Sequence, residues 1–446
     1  MGVETVMNEQ DFHAFSRRSF LRGAALAGAG LGAGAVFPRA AWAALPPGEA
    51  AYPALTALVE GYVAKGTLPG VVALVGRGQD VPLAIARGVL TKGETLPATI
   101  DSLYRVYSMT KPVTGMAAMI LIDEGKLRLD QPLADILPKY AKMQVQVTPD
   151  GSITDLRPAK GPITIRHLLT HTAGLGYTIM QKGPIKDAYE AAGLVPAQVS
   201  HSAIPGLSVP HPLPSLAEFA DKLAEQPLLY DPGTVWSYSV SLDLLGRVIE
   251  VVSGKPFDAF LQERLFDPCG MTSTGFQVPA SQAERLTTNY GIVNGALVPI
   301  DPAAKSIYLD KPAYPYGGAG IVTSPRDYDR FLAMLLGNGA LNGRRVMNEA
   351  AVRLGTSDLL PEGTDTTRIW GPKTGFGAGG RVGLGEDAGT YGWSGAAGTV
   401  GFINYRTSLR AGIYVQYMPS GALPVQSDFT KALLADVTKT GIKKAA

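Results

Sequence analysis

The chain has 446 residues, with 40 Lys and Arg against 38 Asp and Glu, and a formal net charge of +2. This near-neutral balance argues against a nucleic-acid-binding protein, which would need a strongly basic face. Hydrophobic residues make up 46% of the chain, enough for a substantial core, and the length predicts two or three domains. The single cysteine, Cys269, excludes an intramolecular disulfide, a thiolate metal cage and a CxxC redox pair.

The first 43 residues have the order of features that is typical of an export signal. Arg17 and Arg18 stand in Ser-Arg-Arg-Ser-Phe-Leu-Arg, a run rich in Gly and Ala follows, and Ala41-Trp42-Ala43 forms an A-x-A cleavage site. The run is too short and too rich in glycine for a membrane span, which needs about 20 apolar residues. The paired arginines resemble the twin-arginine signal. We therefore expect residues 1–43 to be removed and the mature protein, without an integral membrane span, to be periplasmic or extracellular. The alternative is a basic, disordered N-terminus.

The mature chain begins and ends with strand patterns. Residues 70–76 and 81–87 are apolar, β-branched runs separated by Gly78-Gln79-Asp80, and residues 399–405 and 411–417 form a second pair. Strands at both ends of a long chain predict one antiparallel sheet built from both termini, with helices packed on it.

The middle of the chain has helical spacing instead. Helices are predicted over residues 112–124, 216–224, 242–252 and 257–265. We therefore predict an α/β (α+β) sandwich, an antiparallel sheet flanked by helices, with an inserted and mostly helical domain. The predicted divisions are residues 44–109 and 310–446 for the sheet domain, 110–309 for the helical domain, and 181–214 for a proline-rich loop that is either a lid or a surface excursion.

Most of the usual catalytic motifs are missing from the sequence. There is no HExxH, no His, Asp and Glu cluster with metal-ligand spacing, no P-loop and no dinucleotide fingerprint, so we expect neither a metal nor a cofactor. The nucleophile elbow G-x-S-x-G is absent as well, because Gly392-Trp393-Ser394-Gly395-Ala396 lacks the final glycine.

The remaining candidate is the S-x-x-K sequence of Ser108 and Lys111. A short extended run ends at Tyr107, and a helix with Pro112 in its first turn begins just after it. Ser108 is then expected at the helix N-terminus, with Lys111 one turn later on the same face. A serine hydroxyl needs a neighbouring base to take its proton. A lysine amine can do so when its surroundings favour the neutral form, and a tyrosine near both groups would complete a proton relay.

Several segments, in one order, resemble the β-lactamase-related serine hydrolases, a family that includes class C β-lactamases, D-alanyl-D-alanine peptidases and family VIII carboxylesterases. The segments are YRVYSMTK at residues 104–111, LIDEGKL at 121–127, ITIRHLLTHTAGL at 163–175, PGTVWSYSVSLDLLG at 232–246, GGAGIVTSPRDYDR at 317–330 and GWSGAAGTVGF at 392–402. The resemblance implies that Ser108 is the acylated nucleophile, that Lys111 is its base, and that Tyr238 passes a proton to the leaving group. It also implies an oxyanion hole formed by the backbone N–H groups of Ser108 and Ala396.

The third β-lactamase motif, Lys-Thr-Gly on a strand lining the site, decides the subclass. A literal Lys373-Thr374-Gly375 is present, but the last strand pair follows Trp393-Ser394-Gly395, which resembles the W-x-G variant of family VIII esterases. A lysine there would complement the carboxylate of a β-lactam, whereas Trp393 offers an aromatic wall with one N–H donor. The family's Y-x-N motif, to which Tyr238 corresponds, is also changed. Val240 stands where an asparagine would donate a hydrogen bond to a substrate amide.

We therefore expect an exported serine carboxylesterase that cleaves small-molecule carboxylic esters through an acyl-enzyme, with Trp393, Ser394 and Gly395 lining the substrate site. Two alternatives remain. One is a β-lactamase or D-alanyl-D-alanine peptidase, which needs a cation at the third motif, either Lys373 or another residue. The other is a catalytically inactive binding protein on the same scaffold, which would keep the pocket but not form an acyl-enzyme.

Overall fold

The structure is a computed structural model that describes residues 47–202, 204, 213–369 and 374–439. The predicted signal peptide at residues 1–43 and Lys373 lie outside the described residues. The helices are α1 (Pro53–Ala64), α2 (Thr110–Asp123), α3 (Ile165–Leu169), α4 (Gly183–Ala191), α5 (Leu216–Ala224), α6 (Ser241–Ser253), α7 (Phe257–Leu261), α8 (Asp267–Cys269), α9 (Pro325–Leu336), α10 (Glu349–Gly355) and α11 (Val425–Lys439). The strands are β1 (Gly70–Arg77), β2 (Leu83–Gly88), β3 (Tyr104–Arg105), β4 (Gln144–Gln146), β5 (Leu156–Pro158), β6 (Asn289–Val293), β7 (Ala296–Asp301), β8 (Val322–Thr323), β9 (Ala340–Leu341), β10 (Arg344–Arg345), β11 (Thr374–Phe376), β12 (Arg381–Gly383), β13 (Thr390–Ser394), β14 (Val400–Asn404), β15 (Leu409–Tyr414) and β16 (Tyr417–Met418).

A seven-stranded sheet joins the two ends of the described chain. Its strands lie in the order β11-β12-β13-β14-β15-β1-β2, and each neighbouring pair is antiparallel. β1 pairs with β15 from Val72 opposite Tyr414 to Arg77 opposite Leu409. The N-terminal hairpin thereby completes a sheet whose other strands come from the C-terminal part of the chain. The predicted fold class, an antiparallel sheet built from both ends with helices on it, is confirmed.

Both faces of the central strands are covered, which makes the fold a sandwich. On β1, Val71, Ala73 and Val75 face one hydrophobic cluster, which also contains residues of α1 and α11. The alternate residues Val72 and Leu74 face the larger cluster, which contains α2 and α9. Successive side chains of a strand point to opposite faces, so a strand covered on both sides is apolar along its whole length. This explains the uninterrupted apolar runs in the sequence.

Helix α2 lies inside the protein, between the sheet and the other helices. All of its residues from Thr110 to Leu121 are buried, and it packs against α6, α10 and β13. The helices predicted over residues 112–124, 216–224 and 242–252 correspond to α2, α5 and α6. The helix predicted over residues 257–265 begins as α7 and continues as a π-helical segment, Gln262–Phe266. No helix of the described chain is both long and apolar enough to cross a membrane.

The segment 181–214, which we predicted to be a loop, differs from that prediction in its first part. Residues 183–191 form helix α4, in which Ile185 and Tyr189 are both buried. These residues stand four apart, so they share one face of the helix, and the Tyr189 hydroxyl accepts a hydrogen bond from Gly176 N at 2.9 Å. Residues 203 and 205–212, with three of the six prolines of the segment, lie outside the described residues.

A buried ion pair fastens helix α9 to the sheet. Arg410 of β15 donates from Nε to Asp329 Oδ1 at 2.9 Å, and these side chains are 2% and 6% exposed. The same guanidinium donates to the carbonyl oxygens of Gly78 and Asp80, at 2.8 and 2.7 Å, in the loop between β1 and β2. Burial raises the pKa of Asp329, while the charge of Arg410 opposes the shift. One arginine therefore connects a helix, a strand and a hairpin loop.

Replacing Asp329 by alanine should destabilise the protein by about 3–5 kcal/mol, because it leaves the Arg410 charge buried without its partner. Urea unfolding of the wild type and the variant measures this difference in free energy. The control is Asp221→Ala, which breaks a pair with Lys139 whose two side chains are 55% and 57% exposed. An Asp329→Ala variant as stable as the control would contradict the assigned role of this pair.

Candidate active site

Ser108 lies in a tight turn between strand β3 and helix α2. Residues 107–109 form a single 3-10 turn, and Tyr107 has a φ angle of 40°. This left-handed region favours glycine and costs other residues about 1–3 kcal/mol. The Tyr107 hydroxyl accepts a hydrogen bond from Asn289 Nδ2 at 3.1 Å, and its ring packs edge-on against Tyr308. These contacts hold the strained turn and leave the following serine partly exposed.

Three of the predicted site residues meet at the Ser108 hydroxyl. Lys111 Nζ donates to Ser108 Oγ at 3.2 Å, and Tyr238 OH donates to the same oxygen at 2.7 Å. Lys111 follows Ser108 by three residues, so both project from one side of the same helical segment. Tyr238 comes from the chain just before α6. The serine oxygen therefore has an amine and a second hydroxyl within hydrogen-bond distance.

Lys111 Nζ is fully enclosed by protein groups. The side chain is 0% exposed, and Nζ donates to Gly318 O at 2.8 Å. It also lies 4.5 Å from the ring centre of Tyr238 and 5.5 Å from that of Tyr177. Ring faces attract a cation, and this attraction increases when water is excluded. The amine is thus held by a serine, a backbone carbonyl and two aromatic faces.

Aromatic side chains fix the position of Tyr238. Trp393 Nε1 donates to Tyr238 OH at 3.3 Å. The ring of His171 lies 4.8 Å from that of Tyr238, the Tyr177 ring 5.1 Å away, and the Trp236 ring stacks at 6.0 Å. Aromatic pairs at such distances prefer defined relative orientations. The hydroxyl is therefore directed toward the serine by a packed wall of rings.

His171 belongs to this wall as a neutral group. Burial, together with the nearby charge of Lys111, lowers the pKa of His171 well below its usual value. His171 Nδ1 lies 3.0 Å from Ser239 Oγ, which lies 2.7 Å from Ser241 Oγ. Val240, the third residue of the changed Y-x-N motif, is fully buried. Ser239 and Val240 therefore serve the packing beneath Tyr238.

The turn after β13 brings Ala396 close to the chain that precedes Ser108. A Cβ atom on Gly395 would lie 2.4 Å from Val106 O, so this approach requires glycine. Gly395 N donates to Thr399 O at 2.8 Å, whereas the Ala396 N–H has no acceptor among the residues that the structure describes. Ala396 itself packs against a small buried cluster that includes Tyr107, the residue before Ser108.

Trp393 stands where the subclass-determining motif was predicted. It is 6% exposed on β13, followed by the partly exposed Ser394 and the buried Gly395. The literal Lys-Thr-Gly sequence begins outside the described residues, and its threonine and glycine lie on the edge strand β11. The next residue of that strand, Phe376, places its ring 5.1 Å from Trp393. Strand β11 thus contributes an aromatic ring to the wall of the site.

Sequence reasoning did not single out three residues that contact Lys111 or its partners. Tyr177 lies over Lys111, and the carbonyl oxygen of Gly318 accepts from it. Asp243 is 1% exposed and accepts a hydrogen bond from Gly318 N at 2.9 Å. The available signal was an acidic residue inside the apolar run SLDLLG, five residues after Tyr238. An acid in such a run is buried at a cost unless it has a partner.

The described residues offer neither a metal site nor a reactive thiol. No group of three His, Cys, Asp or Glu side chains in the described ranges is arranged to hold a metal ion. Cys269 is buried, and burial raises the pKa of its thiol to about 12. A thiol that stays protonated is a poor nucleophile.

The fold and the Ser–Lys–Tyr cluster are those of the serine hydrolases with an S-x-x-K motif. The chain belongs to the Beta-lactamase family, whose sequence model matches residues 55–436. Within this family the chain is a serine hydrolase of the carboxylesterase type, as the similarities to named esterases indicate.

Three of these similarities cover most of the chain. Esterase EstB of Burkholderia gladioli is 30% identical over 372 residues, which are 78% of this chain and 86% of EstB. Lovastatin esterase of Penicillium rubens is 29% identical over 388 residues, 80% of this chain and 88% of that esterase. The solved structure of EstCE1, described as a hydrolase with promiscuous acyltransferase activity, has a TM-score of 0.69 and 26% identity, and covers 86% of this chain and 99% of its own.

The bond from Trp393 to Tyr238 should matter less for hydrolysis than the hydroxyl it holds. Trp393→Phe keeps an aromatic ring but removes one neutral hydrogen bond, which predicts about 3- to 10-fold lower kcat. Tyr238→Phe removes the hydroxyl itself and should cost at least about 100-fold. Steady-state kinetics on a p-nitrophenyl ester measure both changes. A larger loss for Trp393→Phe than for Tyr238→Phe would contradict this order of importance.

Proposed function

We propose that the protein hydrolyses small carboxylic esters through an acyl-enzyme on Ser108. The observation that carries this proposal is the position of the Ser108 oxygen, which lies within hydrogen-bond distance of both Lys111 Nζ and Tyr238 OH. A serine hydroxyl becomes an effective nucleophile when an adjacent base removes its proton. Burial of the lysine and its hydroxyl neighbours provide the setting in which an amine can act as that base.

In the first half of the proposed reaction, the serine oxygen attacks the ester carbonyl carbon while its proton moves to Lys111 Nζ. The resulting oxyanion accepts hydrogen bonds from the N–H groups of Ser108 and Ala396. Such donors are typically worth about 2.7–4 kcal/mol each in transition-state stabilisation, and the N-terminus of α2 adds favourable partial charge. The bond to the alcohol then breaks, and the alcohol leaves with a proton delivered through Tyr238.

In the second half, water attacks the acyl group on Ser108, with Lys111 or Tyr238 accepting its proton, and the carboxylic acid is released. An alcohol in place of water would make the same intermediate a donor for acyl transfer. The description of EstCE1 as a hydrolase with promiscuous acyltransferase activity supports this possibility for a protein of the same fold.

Esters are favoured over β-lactams by the chemistry of the site wall. Trp393 presents a ring and one N–H group, and that N–H is already directed to Tyr238. A neutral aromatic wall suits an apolar acyl or alcohol group, whereas a β-lactam carboxylate requires a cation. Val240 is buried and provides no side-chain donor for an amide. The names of EstB and lovastatin esterase support the same substrate class.

Paired initial rates on p-nitrophenyl butyrate and nitrocefin test this proposal. The purified protein should hydrolyse the ester efficiently and nitrocefin weakly, and Ser108→Ala should lower ester turnover by at least about 10³-fold. Ser253→Ala is the matched control, because it also removes a partly exposed serine hydroxyl, but one at the C-terminal end of α6 and outside the proposed site. Dominant nitrocefin turnover would overturn the ester assignment, and ester turnover that survives Ser108→Ala would overturn the mechanism.

We also propose that the protein is exported by the twin-arginine route and that the mature chain begins at Ala44. The support is the sequence pattern around Arg17 and Arg18. The double variant Arg17→Lys/Arg18→Lys should remain in the cytoplasm with its full length. Cell fractionation measures the location of the variant, and the intact mass of the recovered protein shows whether the signal has been cleaved. Export of the double variant with normal cleavage would contradict the route.

A further inference from the structure

A buried carboxylate lies behind the lysine of the proposed mechanism, and the backbone of one residue, Gly318, stands between them. Asp243 Oδ1 accepts from Gly318 N at 2.9 Å, and Gly318 O accepts from Lys111 Nζ at 2.8 Å. The second carboxylate oxygen, Oδ2, has no hydrogen-bond partner among the described residues. Asp243 thus makes no hydrogen bond to the serine or to the lysine. The N–H and the carbonyl group of Gly318, which belong to two successive peptide groups, connect it to Nζ.

We propose that Asp243 is a positioning residue for Lys111. It holds the backbone of Gly318 so that the Gly318 carbonyl oxygen accepts a hydrogen bond from Nζ, and the Asp243 carboxylate balances the positive charge that Nζ acquires. The inference rests on the proposed function. In the acylation step the O–H bond of Ser108 breaks and an N–H bond forms on Lys111, so positive charge appears on a fully buried nitrogen. Asp243 takes no proton in this step. Charge that develops inside a protein is stabilised by groups that are already oriented toward it.

Hydrogen bonds fix the backbone around Gly318. Thr114 Oγ1 of α2 donates to the carbonyl oxygen of the preceding residue, Gly317, at 2.7 Å. Gly318 N donates to Asp243, and Gly318 O accepts from Lys111. A Cβ atom at residue 318 would lie 2.6 Å from Asp243 Oδ2, so any side chain there would displace the carboxylate.

The titratable groups that face Asp243 are Lys111 on α2 and Tyr314 and Tyr316 in the chain before Gly317. Burial, assisted by the charge of Asp243, raises the pKa of Tyr316 to about 12 and that of Tyr314 well above its usual value, so both stay neutral. Burial raises the pKa of Asp243 to about 6, although the charge of Lys111 and the Gly318 N–H oppose the shift. The carboxylate is therefore ionised at pH 8 and becomes protonated as the pH falls through about 6.

Asp243→Asn separates this role from simple packing, because it keeps an acceptor for Gly318 N but removes the charge. We expect kcat for p-nitrophenyl butyrate at pH 8 to fall about 10- to 100-fold with little change in KM. The rate at which a p-nitrophenyl phosphonate labels Ser108 should fall by the same factor, because that reaction reports only the attack of the serine. The component of the wild-type kcat/KM–pH profile with a midpoint near 6 should be missing in the variant.

Asp327→Asn is the matched control. Asp327 is a buried carboxylate whose pKa is also raised by burial, and it accepts a backbone hydrogen bond from Ser273 N at 2.6 Å, at the start of α9. This variant should lose thermal stability but keep the wild-type kcat and pH profile. The comparison distinguishes loss of charge behind the lysine from loss of stability in general.

Gly318→Ala provides a second test, because its side chain would displace the Asp243 carboxylate from the Gly318 backbone. If Asp243 acts through the backbone of Gly318, the double variant Asp243→Asn/Gly318→Ala should be little slower than the slower single variant. Losses that multiply, or an Asp243→Asn variant with the kcat and pH profile of the wild type, would overturn the inference. A different result would overturn the proposed function itself, namely ester turnover that survives Ser108→Ala.

Discussion

The burial of the Lys111 amine is the constraint on which the active-site region depends. A cation removed from water costs several kcal/mol unless polar partners replace the lost hydration. No ion pair within the described residues includes Lys111. Its partners are instead Ser108 Oγ, Gly318 O and the faces of two tyrosine rings. A hydroxyl, a carbonyl oxygen and two ring faces therefore take the place of water around the amine.

The architecture supplies these partners from separate parts of the chain. Helix α2 is buried between the sheet and the helical segment, so both sides of it can present groups to its first turn. Strand β13 brings Trp393 from the sheet side, and the chain just before α6 brings Tyr238 from the helical side. The strained turn at Tyr107 then places the serine at the helix N-terminus, where solvent reaches it. The site therefore combines a lysine that is buried from water with a serine that solvent reaches.

The sequence predicted those features that depend on local pattern. The central strands β1, β14 and β15 were predicted because they are buried on both faces, and α5 because its apolar residues recur at helical spacing. The pairing of Ser108 with Lys111 follows from three residues of separation on one helix. Tyr238 and Trp393 were found only through the resemblance of several motifs, since neither is close in sequence to the serine.

Other features could not be derived in this way because they depend on tertiary contacts. Asp243 and Gly318 are 75 residues apart, and nothing in either segment alone indicates that they meet. Helix α4 was missed because the prolines after it dominate the composition of residues 181–214, whereas the helix depends on two buried residues, Ile185 and Tyr189. Tyr177 likewise acquires its place over Lys111 only when the chain after α3 folds back onto α2.

Intact-protein mass spectrometry with peptide mapping tests the central claim most directly. The protein is incubated with a p-nitrophenyl phosphonate ester, whose tetrahedral adduct on a nucleophilic serine resists hydrolysis. The account predicts one added phosphonyl group per chain, located on Ser108, with labelling strongly slowed in Lys111→Met and absent in Ser108→Ala. Labelling at another residue, or labelling of Ser108 at the wild-type rate in the Lys111 variant, would contradict it.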